Sequence, residues 1–298
     1  MDPLRRVAEG ELGPVAKMSF PVESAAAAQV QGEGEVRADF MESALLRTAL
    51  PGVRHGFSYA WPRLDDRALA GAAGLVLGLD ADVPWIFDQP HGCEVLQIGR
   101  PAVAETCERR RHRPARLPVA SYDGAMARRQ PGRVGPPGGP TVLIKAADCV
   151  SVLAVHPDLD AYAALHAGWR GTAAGILPRL LSAWSTAGGG LSRVRLAFGP
   201  HIRACCFEVR ADCLAQFRGE DLEGAVVERE RATYLDLERV LRSQAAVFGV
   251  GGAQIEALPH CTQCYRDAGG AYAFASYRRA QREGRQAGRN IAFIGPAR

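Results

Sequence analysis

The sequence predicts a mixed α/β domain, because apolar, β-branched segments alternate with amphipathic helical segments and no segment repeats. The chain has 298 residues, of which 47% are hydrophobic and 23% charged, as is typical of a globular protein with a sizeable core. No shift in composition marks an internal boundary after residue 36. We therefore expect a single domain over residues 36–298.

The first 35 residues include the low-complexity stretch ESAAAAQVQGEGE and are predicted to form a disordered extension. They lack the apolar segment of a secretory signal, and the chain has no run of about 18 apolar residues that would predict a membrane span. We therefore expect a cytoplasmic protein that binds no membrane. A formal net charge of +4 is too small to indicate a protein that binds nucleic acid.

The strands are predicted by short apolar runs rich in β-branched residues, which end at Gly, Pro, Asp or Asn. These runs are TVLIKAA (141–147), VSVLAVH (150–156), AYAALHA (161–167), RVRLAFG (193–199), QIEAL (254–258) and NIAFIG (290–295). Helical spacing of apolar residues predicts helices over 171–188 and 235–251. Pro178 is expected either to kink the first of these helices or to mark its true first turn. A stretch rich in Gly and Pro predicts a loop from about Met126 to Pro140.

Three residues that can bind a metal stand at predicted strand ends or in tight turns. His91 lies in a Pro-His-Gly bend, Cys149 lies between two strands, and His166 ends a strand. Zinc accepts imidazole and thiolate ligands, and three protein ligands leave a fourth position for water. Taken singly, each residue is more often an ordinary packed side chain than a ligand. Together they indicate a candidate catalytic metal site that only the fold can assemble.

The chain has eight cysteines, and without a secretory signal we expect them to be reduced or to bind metal. Cys205 and Cys206 are adjacent, so we expect them to point to different sides and to be core thiols. Cys261 and Cys264 have the spacing of half a zinc knuckle. Because no second pair stands at a suitable distance in the sequence, packing is the simpler interpretation.

Several motifs occur together in a fixed order. They are QPHG (89–92), ADC (147–149), HAGWRGTAAGI (166–176), FGPHIRACCFEV (198–209), CT (261–262) and SYRR followed by GR (276–279 and 288–289). In these motifs the chain resembles the YfiH-like, or laccase-domain, family, which is described both as multicopper polyphenol oxidases and as purine nucleoside phosphorylases. The resemblance extends over roughly residues 40–295, and HAGWRGTAAGI following ADC is its most specific part.

The resemblance implies a mixed α/β sandwich related to the cysteine deamidases of bacterial toxins. It implies zinc bound by His91, Cys149 and His166, the same three residues that the strand ends indicate. The implied activities are phosphorolysis of adenosine, inosine, guanosine and methylthioadenosine, and hydrolytic deamination of adenosine. The expected partners are purine nucleosides and phosphate, and the expected assembly is a monomer or a small homo-oligomer.

Four further residues are candidates for these reactions. Asp148 adjoins a metal ligand and could transfer protons, although an aspartate at a strand end could equally form a turn. Arg170, Arg278 and Arg289 could hold phosphate or substrate, because arginine suits oxyanions. For Arg278 and its neighbour Arg279 the alternative is a solvated helix face.

The chain also departs from the family pattern. The family motif T-R-x-G-G-V-S is absent, and HGFSYAWPRLDDRAL (55–69) stands in its place, so a weakened enzyme or a metal-binding module remains an alternative. A copper-dependent polyphenol oxidase is a second alternative, but seven histidines without a His-x-His pair are few for several coppers. Copper could still occupy the same three ligands adventitiously. A cysteine hydrolase using Cys149 and His166 is a third alternative.

Overall fold

A computed structural model describes residues 40–62, 64–76, 84–98, 122–129 and 139–297 of the chain. The expected N-terminal extension, residues 1–35, lies outside the described residues. The strands are β1 Phe40–Met41, β2 Val53–Trp61, β3 Val95–Gln97, β4 Gly124–Arg128, β5 Val142–Ala146, β6 Val150–His156, β7 Ala161–Ala167, β8 Arg195–Phe198, β9 Glu208–Val209, β10 Val226–Arg229, β11 Ala232–Leu235, β12 Ile255–Ala257 and β13 Arg289–Pro296. The helices are α1 Ala44–Ala49, α2 Asp66–Val76, α3 Trp169–Ala173, α4 Ile176–Thr186, α5 Ala211–Leu214, α6 Leu237–Val247 and α7 Tyr277–Arg282.

The largest sheet has six strands in the order β12-β8-β6-β7-β4-β3. Its central pairs, β8 with β6, β6 with β7 and β7 with β4, are antiparallel, and the outer strands β12 and β3 pair in parallel with their neighbours. A second sheet has four antiparallel strands in the order β1-β2-β13-β5. A small third sheet joins β10, β11 and β9. All six strands predicted from the sequence occur, which confirms the mixed α/β class.

The two large sheets pack face to face, as the sandwich expectation requires. The side chains of β6 and β7 alternate between two cores because successive residues of a strand point to opposite faces. Leu153 and Tyr162 share one core with Ile144 of the four-stranded sheet. On the opposite face, Val152 and Leu165 pack against the helices α4 and α6. The six-stranded sheet is therefore buried on both faces.

The helix predicted over 171–188 is interrupted. Gly175 adopts a left-handed conformation with φ of 80°, and α4 begins at the next residue, Ile176. Pro178 thus lies in the first turn of α4, one of the two places that the sequence offered, where proline is tolerated. The second predicted helix, α6, begins after Asp236, whose side chain accepts a hydrogen bond from the backbone N–H of Arg239. No helix in the described ranges is long and apolar enough to span a membrane.

One connection carries the chain from one large sheet to the other. Residues 147–149 link β5 of the four-stranded sheet to β6 of the six-stranded sheet. The predicted loop after Met126 begins later than expected, because β4 continues through Arg128. The direct link between the sheets places Cys149 at their junction, beside the end of β7 that carries His166.

Candidate metal centre and pocket

The structure brings His91, Cys149 and His166 together. Their ligand atoms, two imidazole nitrogens and one thiolate sulfur, all lie within 4.8 Å of one another. His166 is buried in β7 and pairs with Ser151 in the register of β6, which sets it next to the 147–149 connection. His91 approaches from the turn before β3, and its ring meets that of His166 edge to face with centroids 4.8 Å apart.

Asp123, immediately before β4, holds two of these three residues in place. Its Oδ1 lies 2.9 Å from Nδ1 of His166 and accepts the backbone N–H of His91 at 3.0 Å. Its Oδ2 accepts the backbone N–H of Gly92 at 2.6 Å. A carboxylate on one imidazole nitrogen fixes the tautomer and leaves the other nitrogen for a metal. Asp123 is not among the site residues predicted from the sequence, because the signal is a contact between residues far apart in the chain.

The small residues of HAGWRG are required by close approach. A Cβ on Gly168 would lie 2.9 Å from Sγ of Cys149, and one on Gly171 would lie 2.4 Å from the carbonyl oxygen of Gly92. Both distances are too short for a real contact, so glycine lets β7 and α3 close against the other two ligands.

Backbone strain is concentrated at the same place. Five described residues other than glycine have positive φ, and three of them lie here: Gln89 at 57°, His91 at 66° and Asp148 at 87°. Such conformations persist only where the surroundings enforce them, and they cluster at functional sites. Gln89 is held by hydrogen bonds in both directions with the backbone of Lys145, at 2.6 and 2.9 Å.

The electrostatics of the three candidate ligands His91, Cys149 and His166, called the trio below, favour a charged pair of Cys149 and His166. Burial would raise the pKa of Cys149, but the charge and hydrogen bond of His166 and those of His91 lower it to about 6. Burial would likewise lower the pKa of His166, but the Cys149 thiolate and the Asp123 carboxylate raise it to about 9. A thiolate at neutral pH is the form of cysteine that binds metal or acts as a nucleophile.

Asp148 lies beside the trio and accepts three hydrogen bonds. Its Oδ1 accepts the hydroxyl of Thr262 at 2.7 Å, and its Oδ2 accepts the hydroxyl of Ser276 at 3.1 Å and the backbone N–H of Arg278 at 2.7 Å. Burial raises the pKa of this carboxyl, and the three hydrogen bonds act in the opposite direction. The carboxylate thereby fastens the start of α7 to the junction between the sheets.

The three arginines predicted to hold anions line one pocket with the trio. Arg170 is exposed on α3, and its guanidinium stacks on Trp169 at 4.2 Å from the ring centroid. Arg278 is half-buried, and both of its terminal nitrogens donate to the carbonyl of Glu208 at 3.1 Å. Arg289 donates to the carbonyl of Gly288 at 3.0 Å. The alternative of a solvated helix face does not hold for Arg279, which is buried and donates to three backbone carbonyls.

The pocket itself has a volume of about 930 Å³, within the range of small-molecule sites. Its walls include groups that the sequence did not single out, among them the ion pair of Lys145 with Asp66. Leu64, Asp65 and Asp66 come from the stretch that replaces the family motif T-R-x-G-G-V-S, so this departure lies on the pocket wall.

Fold and site together define an α/β protein of two packed sheets with a His₂Cys centre at their junction. The chain belongs to the family described as multi-copper polyphenol oxidoreductase laccase, whose model matches residues 67–296. The resemblance inferred from the motifs is thereby confirmed.

Relatives with assigned activities are similar over most of the chain. The sequence is 31% identical over 234 residues to a purine nucleoside phosphorylase of Deinococcus radiodurans, covering 78% of this chain and 77% of the relative. It is 29% identical over 192 residues to the adenosine deaminase RL5 of an unknown prokaryotic organism, covering 63% of this chain and 68% of the relative.

Solved structures share the fold. YlmD of Geobacillus stearothermophilus superimposes with a TM-score of 0.65 at 23% identity, covering 89% of this chain and 98% of that one. The protein YfiH of Bacillus licheniformis superimposes with a TM-score of 0.63 at 25% identity, covering 82% and 92%. The sandwich architecture expected from the family resemblance is confirmed.

Proposed function

We propose that this protein is a zinc-dependent purine nucleoside enzyme. It would cleave adenosine, inosine, guanosine and methylthioadenosine with phosphate, and deaminate adenosine to inosine. The observation that carries this proposal is that His91, Cys149 and His166 converge in the same pocket that three arginines line. The names of the relatives, purine nucleoside phosphorylase and adenosine deaminase, support the same two reactions.

The donor set fits zinc. Two imidazoles and one thiolate are ligands that zinc prefers, and the carboxylate of Asp123 behind His166 is the usual partner of a zinc-bound histidine. When held by three protein ligands, zinc keeps a fourth position for water and lowers the pKa of that water toward about 7. Copper would also bind this set, so metal content has to be measured rather than assumed.

For deamination, the chain has to bind the purine and move protons beside the centre. Asp148 is our candidate for the proton transfer, because it lines the pocket next to Cys149. Its three hydrogen bonds also suit a second role, in which it positions α7 and Arg278. Asp148→Asn distinguishes them: loss of kcat with an unchanged KM indicates proton transfer, and a raised KM indicates positioning.

For phosphorolysis, the arginines would hold the phosphate. Guanidinium groups bind phosphate oxygens through paired, charge-assisted hydrogen bonds. The pocket that contains the trio is also lined by Arg170, Arg278 and Arg289. Phosphate bound among them would meet a nucleoside whose base faces the metal centre.

A cysteine hydrolase is the second candidate, and one observation favours it. The lowered pKa of Cys149, about 6, and the raised pKa of His166, about 9, describe a thiolate–imidazolium pair. A bound metal would occupy that thiolate, so the two functions exclude each other at this site. An oxidase with several coppers is disfavoured, because the described residues offer only one histidine-containing cluster of ligands.

The deciding experiment uses purified, metal-quantified full-length protein with adenosine, with and without phosphate, and separates the products chromatographically. We expect adenine and ribose-1-phosphate only with phosphate, and inosine in both cases. His91→Ala, Cys149→Ala and His166→Ala should each lose metal and activity together. An active metal-free protein would refute zinc catalysis and favour the hydrolase, whereas bound zinc without products would favour a metal-binding module.

A further inference from the structure

A second cluster of possible metal ligands lies outside the pocket. The sulfurs of Cys205, Cys206, Cys261 and Cys264 all lie within 4.8 Å of one another. Sγ of Cys205 and Sγ of Cys264 are 3.8 Å apart. A tetrahedron of four sulfurs at about 2.3 Å from a central zinc has edges of about 3.8 Å. The cluster is thus close to the size of a tetrahedral thiolate site.

The backbone explains why two adjacent cysteines face the same way. Cys205 and Cys206 lie in a tight turn in which the N–H of Cys206 donates to the carbonyl of Arg203 at 2.8 Å. The expectation that they point to different sides is therefore wrong, because neighbours in a tight turn do not alternate as they do in a strand. This turn supplies the second cysteine pair, which does not stand near Cys261-x2-Cys264 in the sequence.

A second turn holds the other pair. The N–H of Tyr265 donates to the carbonyl of Cys261 at 3.0 Å and closes the Cys261-x2-Cys264 turn. The two turns are joined by a parallel bridge between His201 and Cys261. Two short turns, each presenting two cysteines, are the usual way in which proteins build a four-cysteine zinc site.

The surroundings of the cluster direct hydrogen-bond donors at its buried sulfur. The Cys205 thiol and the backbone N–H groups of Arg203, Cys264 and Gln263 are hydrogen-bonded to Sγ of Cys261. Backbone N–H groups directed at a sulfur also stabilise metal-bound thiolate. Cys205 and Cys264 are exposed, so an ion can enter from solvent.

We propose that Cys205, Cys206, Cys261 and Cys264 together bind one Zn²⁺ ion in a structural site separate from the His₂Cys centre. Each thiol that coordinates the ion releases its proton to solvent, and no oxidant or reductant is required. All four coordination positions are filled by protein, which leaves no place for substrate and makes the role structural. Tetrahedral sulfur sites also accept iron, so the test has to identify the metal.

The site would stabilise residues that line the pocket, because the Cys261-x2-Cys264 turn and the segment that leads into the Cys205–Cys206 turn contact Asp148. The residue after Cys261, Thr262, donates its hydroxyl to Asp148, and the N–H of Ile202 donates to the carbonyl of Asp148 at 2.9 Å. Arg279 donates to the carbonyls of Thr262 and Gln263 at 2.9 and 2.7 Å. The Cys261-x2-Cys264 turn is therefore anchored to Asp148 and to α7, and the segment that leads into the Cys205–Cys206 turn is anchored to the same aspartate. An ion between the two turns would fix their separation.

The test counts metal in the full-length chain, purified with reductant, loaded with excess zinc and desalted. We expect two zinc equivalents in the unaltered protein and one in Cys205→Ser/Cys264→Ser. The double variant His91→Ala/His166→Ala should also retain one. Cys213→Ser, which alters a buried cysteine outside both clusters, should keep two.

Cobalt provides a readout that does not depend on the folding of the cysteine variants. Titrating His91→Ala/His166→Ala with Co²⁺ should give the intense sulfur-to-cobalt charge-transfer and tetrahedral bands of a four-thiolate site, saturating at one equivalent. Two zinc equivalents remaining in Cys205→Ser/Cys264→Ser would overturn the proposal. So would a spectrum without these bands, iron in place of zinc, or a Cys205–Cys264 disulfide in protein kept under reductant.

Discussion

The carboxylate of Asp123 is hydrogen-bonded to the imidazole of His166, with 2.9 Å between Oδ1 and Nδ1. Asp123 is fully buried, and it also binds the backbone of the turn that carries His91. One side chain thus sets the position of two metal-ligand candidates that come from separate elements. Substitution of Asp123 should therefore affect metal binding without removing any ligand atom.

We expect Asp123→Asn to lower zinc affinity about 10- to 100-fold, as is typical when the partner of a metal-bound histidine is changed. The amide offers only one acceptor oxygen for three donors that now meet a carboxylate. Competition with a chelator of known affinity measures the effect. Asp160→Asn, at a half-buried ion pair with Arg129 away from the three ligands, is the matched control and should bind zinc normally. Equal affinities for both variants would contradict the role of Asp123.

The glycines of HAGWRG give a second prediction. Gly171→Ala places a Cβ against the carbonyl oxygen of Gly92, so the turn with His91 has to move away from the other ligands. We expect an overpacking cost of about 1–3 kcal/mol in the free energy of unfolding, together with weaker zinc binding. Gly190→Ala is the control, since nothing lies within 4 Å of its added Cβ and its φ is −70°. Urea unfolding and zinc competition on both variants check the prediction, and similar values for the two would count against it.

The strands at the centre of the fold could be predicted because both faces of β6 and β7 are buried. Their sequences are therefore continuous apolar runs, which are a strong local signal. The strand β2 was missed, because its buried positions include the polar residues His55 and Ser58. These are satisfied by distant partners: His55 by the backbone of Ser43 and Ser58 by the N–H of Ile291. The local sequence pattern of polar and apolar residues does not reveal such partners.

The candidate site was only partly predictable for the same reason. His91, Cys149 and His166 stand at turns and strand ends that the sequence marks with Gly, Pro and Asp. The role of Asp123 depends on a contact across 43 residues, and local spacing carries no information about such a contact. The four-cysteine cluster was missed because Cys205 and Cys264 are 59 residues apart and meet only after folding.

Arg170 should act on phosphate and not on the purine. If its guanidinium binds phosphate, Arg170→Ala removes charge-assisted hydrogen bonds worth about 1.5–3 kcal/mol, which corresponds to about a 10- to 100-fold rise in KM for phosphate. Deamination of adenosine needs no phosphate and should change little. Initial rates of both reactions are compared with those of Arg179→Ala, whose arginine pairs with Glu94 at the surface. Equal losses in both reactions would show that Arg170 serves the shared site instead.

Acid should destabilise the fold through buried histidines such as His156. His156 is fully buried beside Trp184, and burial lowers its pKa below the ordinary value of 6.5. As the pH falls below 6.5, the unfolded chain therefore takes up a proton that the folded chain does not, so stability is highest above pH 6.5 and falls below it. Between pH 7.5 and 5.5 this one group should therefore lower the free energy of unfolding. Urea unfolding of the unaltered protein and of His156→Leu at both pH values isolates the effect, because all other titrations are common to the two. The variant should lose less stability on acidification than the unaltered protein, and an equal loss would mean that His156 takes up its proton within the fold.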